Sequence, residues 1–343
     1  MSDPYRPAVD FFPPDPSAQV WVTMPKRRVW LHVLLFLLTV ATTLAVGARL
    51  THNFQAHRPA YDMEQDWNPF SGVWQDPQGL IDGLPFSATL LTILLVHEMG
   101  HYLMCVRYGI AASYPYFLPA PTIIGTMGAF IRIQSPIRTR RALFDIGVAG
   151  PLAGFVIAVP LLAIGVSLSL AGPAPPDSAF GSAIQFGNPP LMLFMQAILH
   201  PGVPAANLSL HPMARAAWVG LFATALNLLP AGQLDGGHIV YALDRRWHKP
   251  VSRVTVLVLG LPMLVIGVSW LAGLRWPPAL AIADAVEPYY WYGWFFWSAV
   301  LLFLGPRHPS IYDSTPLGSG RRRLALAALA VFLFCFTPTP FIL

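Results

Sequence analysis

The chain has 343 residues, of which 55% are hydrophobic and only 11% charged. Soluble domains carry about a quarter charged residues, so this balance excludes an ordinary soluble domain and describes a polytopic membrane protein. The net charge of +5 comes from basic clusters in short connections between apolar runs. That pattern signals topology rather than a nucleic-acid surface.

Residues 1–28 are polar and proline-rich (DFFPPDP, PDPSAQ) and are expected to form a flexible cytoplasmic tail. Lys26, Arg27 and Arg28 then lead into an apolar run at 29–48, too long and too far from the start for a cleaved signal peptide. It predicts a first membrane-spanning helix with its N-terminus in the cytoplasm. The connection at 49–80 carries Asp62, Glu64, Asp66 and Asp76, which suits the outer face.

A second span is predicted at about 83–106, and His97-Glu98-Met99-Gly100-His101 lies near its inner end. Histidines four apart share one helical face, so both imidazoles can grip one zinc ion from a single rigid element. Glu98 is rotated off that face and can reach a metal-bound water as general base. Ionisable residues at bilayer depth cost roughly 2.5 to 3.5 kcal/mol each on insertion scales, so three within five positions need a reason. A bound metal supplies one, because its charge keeps the imidazoles neutral and favours the carboxylate.

Residues 110–134 read differently. Pro115, Pro119 and Pro121 forbid a continuous helix, yet the stretch is too apolar for an exposed loop. Ile131 and Ile133 alternate with Phe130, Arg132 and Gln134 as in a strand. We expect a small re-entrant β-hairpin buried against protein; an irregular interfacial loop is the alternative. Arg138, Arg140 and Arg141 precede a third span at about 143–170. Its Gly147, Gly150, Pro151 and Gly154 let another helix approach closely. The outer connection at 171–213 holds a short apolar piece at 190–199.

The fourth predicted span, about 214–244, is interrupted by Pro230, Gly232, Gly236 and Gly237 around Asp235. Breaks in membrane helices free backbone groups and commonly line a site. An intramembrane aspartate is a functional candidate; its other reading is a cap on the next helical segment. Arg245, Arg246, His248, Lys249 and Arg253 predict a cytoplasmic loop. Spans at 254–273, 289–305 and 323–342 follow, with Arg307, His308 and Arg321–Arg323 again on the inner face. Alternating spans put nearly every basic cluster inside. The fold class is therefore an all-α polytopic membrane protein of about six to seven transmembrane helices with a small hairpin near the site.

Catalytic zinc usually takes three protein ligands and one water. Spans two and four both descend toward the inner face, so Asp235 is the best third ligand beside His97 and His101. Asn227, about two turns earlier, can donate to the oxyanion formed when water attacks a peptide carbonyl. His238 is a weaker candidate for that role, or for orienting Asp235.

With HEMGH at 97–101, GPLAG at 150–154 and the Asn227…Pro230…Leu234-Asp235-Gly236 stretch, the sequence resembles the site-two protease family of intramembrane zinc metalloproteases. The resemblance covers roughly residues 85–245. It implies that His97, His101 and Asp235 ligate Zn2+, that Glu98 activates water and that Asn227 assists at the oxyanion. It also implies hydrolysis within the transmembrane segment of a single-span membrane protein, to release a signalling fragment or clear a remnant. The expected organisation is a tail at 1–28, a first helix and outer connection at 29–82, a catalytic membrane core at 83–245 and C-terminal helices at 246–343. The outer connection is too short for the PDZ domain of many family members. The expected location is a bacterial inner membrane, with the site opening to the cytoplasm; no nucleic-acid partner is expected. A metal or proton transporter and a catalytically silent scaffold are the competing classes. Polar stepping stones are missing from the last three spans, and the presence of Glu98 argues against the scaffold.

Overall fold

The computed structural model describes residues 28–61, 78–172, 184–305, 311, 313 and 315–342. The expected flexible tail before Arg28, the acidic positions 62, 64, 66 and 76, and Arg307 and His308 lie outside the described residues. The protein is mostly helical. Among the described residues, four helices are long and apolar enough to cross a membrane: Val29–Gln55, Gln78–Arg107 (including its leading 3-10 turn), Arg140–Ser167 and Arg245–Gly273. The chain is an integral membrane protein.

In chain order the elements are α1 (Val29–Gln55), α2 (Leu84–Arg107), β1 (Tyr116–Pro119), β2 (Thr126–Phe130), α3 (Arg140–Ser167), β3 (Leu170–Ala171) and β4 (Gln185–Phe186). Then come α4 (Pro190–Leu199), β5 (Leu208–Ser209), α5 (Pro212–Leu228), α6 (Asp235–Leu243), α7 (Arg245–Gly273), α8 (Leu280–Val286), α9 (Gly293–Leu304), α10 (Ser319–Cys335) and β6 (Phe341–Ile342).

Three expectations change. The fourth predicted span is two helices, α5 and α6, because Pro230 has no amide hydrogen to donate and Gly232 takes a left-handed φ of +55°. The basic residues from Arg245 onward are not a loop. Asp244 accepts a hydrogen bond from the Arg246 amide and starts α7 nine residues earlier than expected. The last two predicted spans are α9, with 12 residues, and α10, with 17, so neither matches the four long helices. α10 stops at Cys335 because Pro338 and Pro340 follow, and β6 turns back to pair with β4.

The core is a bundle of α2, α3 and α5. α2 crosses α3 with backbone against backbone: a β-carbon on Gly100 would lie 2.6 Å from the Ala149 carbonyl oxygen. α5 meets α2 where Gly220 abuts Ile93, and meets the end of α3 where Gly165 abuts Ala214. Small residues at these crossings substitute for a hydrophobic driving force that lipid does not provide.

β1 and β2 pair antiparallel, Tyr116 opposite Phe130 and Phe117 opposite Ala129. The pairing continues irregularly through an Ala112–Ile133 bridge. Residues 130–134 alternate between exposed and half-buried, although β2 itself ends at Phe130. α1 flanks the pair along its length. His32 stacks on Tyr116, Phe36 packs edge-on against Phe117, and the Thr42 hydroxyl donates to the Gly125 carbonyl at 2.7 Å. His32 and Thr42 are ten residues apart, or about 15 Å of helix. Beyond the end of α1, the Tyr61 hydroxyl donates to the Ile123 carbonyl in the connecting turn.

Candidate metal centre

α2 carries His97 and His101 on one face in its C-terminal half, and both side chains are buried. The His101 Nδ1 lies 2.7 Å from the Ile146 carbonyl oxygen of α3. A carbonyl only accepts, so Nδ1 bears the hydrogen, and in the neutral imidazole Nε2 then presents its lone pair. Both Nε2 atoms face the Asp235 carboxylate: its Oδ2 lies 3.4 Å from that of His97 and 3.3 Å from that of His101. All three potential ligand atoms lie within 4.8 Å of one another. Tetrahedral zinc with bonds of about 2.0–2.2 Å separates its ligand atoms by about 3.3–3.5 Å. Two imidazoles and one carboxylate suit that ion in chemistry, and both histidine–carboxylate distances match its size.

Asp235 is the first residue of α6, and Leu234, not Asp235, occupies the cap position. Its carboxylate therefore turns to the histidines, and the helix-cap alternative falls. A carboxylate in the first turn is also favoured by the helix dipole. Asn227 sits in the last turn of α5, with its Nδ2 3.2 Å from His97 Nε2. The break thus delivers one polar side chain from each of its two ends. Glu98 is buried, only 6% exposed, and accepts a hydrogen bond from the Ile131 amide just beyond β2. The five residues singled out in the sequence, His97, Glu98, His101, Asn227 and Asp235, all meet here. His238 instead packs its β-carbon against Gly147 of α3.

The sequence reading gave the glycines of α3 a packing role only. Gly150 does more: a β-carbon there would lie 2.0 Å from His101 Nε2, inside the ring's own volume. Gly154 similarly faces His97, with 3.2 Å from its would-be β-carbon to Nδ1. Gly147, Gly150 and Gly154 fall at i, i+3 and i+7, one helical face. That stripe, matched against the two histidines one turn apart, was the available signal. Ile146 and Ile131 contribute through backbone groups, which no side-chain pattern announces.

The fold and this site define a membrane-embedded protein with a His-His-Asp group that could hold a metal ion and a buried glutamate beside it. Residues 85–267 match the profile of Peptidase family M50, and the chain belongs to that family, the site-two proteases. Relatives include "Probable zinc metalloprotease EGY1, chloroplastic" of Arabidopsis thaliana, 31% identical over 322 residues, covering 91% of this chain and 54% of that protein. "Probable zinc metalloprotease EGY2, chloroplastic" of Oryza sativa subsp. indica is 31% identical over 275 residues, covering 76% of this chain and 44% of that protein. "Probable zinc metalloprotease EGY3, chloroplastic" of the same source is 30% identical over 271 residues, with coverages of 75% and 42%. The chain spans about half the length of these relatives.

Proposed function

We propose that this chain is an intramembrane zinc metalloprotease that hydrolyses a peptide bond in or near the transmembrane segment of a single-span membrane protein. The observation that carries this is the meeting of three ligand atoms from α2 and α6 with a buried glutamate and an amide beside them. The relatives' names give the metal as zinc. His97, His101 and Asp235 would hold it. Bound zinc acidifies water and polarises a carbonyl oxygen.

The chain's own groups would do the rest. Glu98 accepts a proton from the attacking water and later returns it to the leaving amine. The Ile131 amide orients its carboxylate. Asn227 donates to the oxygen on which negative charge develops. Burial of the site inside the helix bundle limits water to what the reaction needs.

A helical substrate hides its carbonyls in i to i+4 hydrogen bonds and must unwind before it is cut. We assign the β1–β2 pair to that step, as a re-entrant hairpin whose β2 edge offers backbone hydrogen bonds to the unwound segment. Two facts support this: α1 accompanies the pair over about 15 Å of helix, and β2 has no second strand partner among the described residues.

Residues 83–245 then form the catalytic core, between residues 29–82 and the C-terminal helices from 246. Taking α5, its break and α6 as one crossing, and α9 and α10 as two more, gives the seven crossings expected from the sequence. The site opens to the face bearing the basic clusters, on the cytoplasmic side if α1 enters from there. A bacterial inner membrane finds no support among the relatives, whose names place them in the chloroplast.

The test is cleavage of a transmembrane-segment substrate by the purified full chain, with and without a zinc chelator, beside Glu98→Gln. Activity that is chelator-sensitive and lost in the variant supports the assignment. Cleavage that survives both overturns it. Zinc flux into sealed vesicles without cleavage would favour a transporter.

A further inference from the structure

Asp235 has no continuous helix to aim it. It follows a break, residues 229–234, whose shape depends on Gly232 at φ +55°. Both backbone polar groups of Gly232 are taken by side chains of α7, a helix that supplies none of the residues of the metal centre. The Gly232 amide donates to Ser252 Oγ at 3.2 Å, and the Gly232 carbonyl accepts from His248 Nε2 at 2.9 Å. The two side chains are four residues apart, on one face of α7, and each is 2% exposed. His248 also meets Tyr241 of α6 edge-on, with ring centroids 5.4 Å apart. One histidine therefore touches the segment before Asp235 and the helix after it.

The break in turn lies tightly on the first turn of α6. A β-carbon at Gly236 would lie 2.1 Å from the Leu228 carbonyl oxygen, and one at Gly237 would lie 2.4 Å from that of Gly232. The carbonyl held by His248 is thus the one pressed against α6 two residues beyond Asp235. Moving that peptide moves the start of α6.

We infer that His248 and Ser252 are positioning residues for the Asp235 carboxylate: α7 fixes the third ligand through a two-point grip on Gly232. Partners beyond the ligands commonly tune metal affinity 10- to 100-fold. Here the partner acts through backbone rather than through the ligand side chain itself. The inference rests on Asp235 being a metal ligand.

The experiment measures zinc affinity of the purified full chain by competition with a chromogenic chelator, together with kcat and KM for a transmembrane-segment substrate. His248→Ala lowers zinc affinity roughly 10- to 100-fold and lowers kcat at saturating zinc, with KM unchanged. His248→Gln, whose amide nitrogen reaches about as far as Nε2, restores most of both. Ser252→Ala gives a smaller loss of the same kind, and Ser252→Thr restores it. The grip is overturned if His248→Ala and Ser252→Ala bind zinc like the parent. It is also overturned if His248→Gln is as damaged as His248→Ala, because the histidine then only fills space. Asp235→Ala separates this from the site assignment: undiminished zinc affinity in that variant overturns the ligand set itself, whatever the α7 variants do.

Discussion

The two halves of the proposed metal centre are built by opposite means. α2 is a continuous helix of 24 residues, and its geometry alone sets His97 and His101 one turn apart. Asp235 and Asn227 come from a segment that stops being helical between Leu228 and Asp235. A regular helix needs only a neighbour shaped to admit its side chains, and the glycines of α3 supply that. A break has no intrinsic geometry, so it must be fixed from outside at several points. α7 grips Gly232, and Arg140 of α3 donates to the Ala242 and Leu243 carbonyls at the far end of α6, at distances of 2.7–3.0 Å. Two of the proposed ligands come from periodicity and one from tertiary support.

The largest effects should come from the ligands and the acid–base group, and they separate the two halves. His97→Ala and His101→Ala each remove a ligand from the rigid half and are expected to abolish both zinc retention and cleavage. Asp235→Ala leaves the imidazole pair in place, so weak zinc binding should persist while cleavage falls to background. Equal zinc loss in all three variants, read by metal analysis after dialysis, would show that the helix pair has no independent hold on the ion. Glu98→Gln is expected to keep full zinc and lose about 10²–10⁴ in kcat.

Asn227→Ala comes next, with a loss of about 10²–10³ in kcat, the usual size for an oxyanion donor. It deletes a side chain in the last regular turn before the break and leaves the break intact. Zinc content and KM should therefore hold. A fall in zinc content instead would mean that the amide chiefly steadies His97, 3.2 Å away.

Gly150→Ala tests the shaped neighbour. Its new methyl would fall 2.0 Å from His101 Nε2, so the ring must tilt or α3 must back away from α2. Zinc affinity should drop by roughly 10- to 100-fold. Gly154→Ala, with its nearest contact at 3.1 Å, should cost clearly less. Reversal of that order would sink the idea that the stripe is cut to the two rings.

This contrast also explains what the sequence could and could not reveal. HEMGH was legible because its spacing and a helix's period are the same fact. Asp235 was legible as a charge in an apolar run, and its depth followed from two spans descending to one face. The split of the fourth span was half-legible: Pro230 and Gly232 announced a break but not that α6 would be a separate helix starting at Asp235. The start of α7 was misread because a run of basic residues looks like a loop when the Asp244 cap goes unnoticed. The Ile131 amide, the Ile146 carbonyl and the grip on Gly232 were invisible, since each involves backbone groups brought together by tertiary packing. Likewise, nothing local in residues 185–186 and 341–342 predicts that they pair.

The smallest effect is expected at a junction beside the rigid half. Arg321, in the first turn of α10, donates through Nε and a terminal nitrogen to both Asp145 carboxylate oxygens, at 2.8 and 2.7 Å. The Tyr108 hydroxyl, just past α2, donates to the same carboxylate. Burial, then this hydrogen bond, raises the Tyr108 phenol above its ordinary pKa. Asp145 immediately precedes Ile146, whose carbonyl holds His101. Arg321→Gln removes the charge-assisted pair but leaves the Tyr108 bond, so stability should fall by roughly 1 to 3 kcal/mol, read as a lower melting temperature in detergent. Because Tyr108 still anchors the carboxylate, His101 should keep its orientation and kcat should change less than threefold. If Arg321→Gln instead lowers zinc affinity as far as Gly150→Ala does, the rigid half of the site also depends on the C-terminal helices, and the division between a self-sufficient helix and a supported break no longer holds.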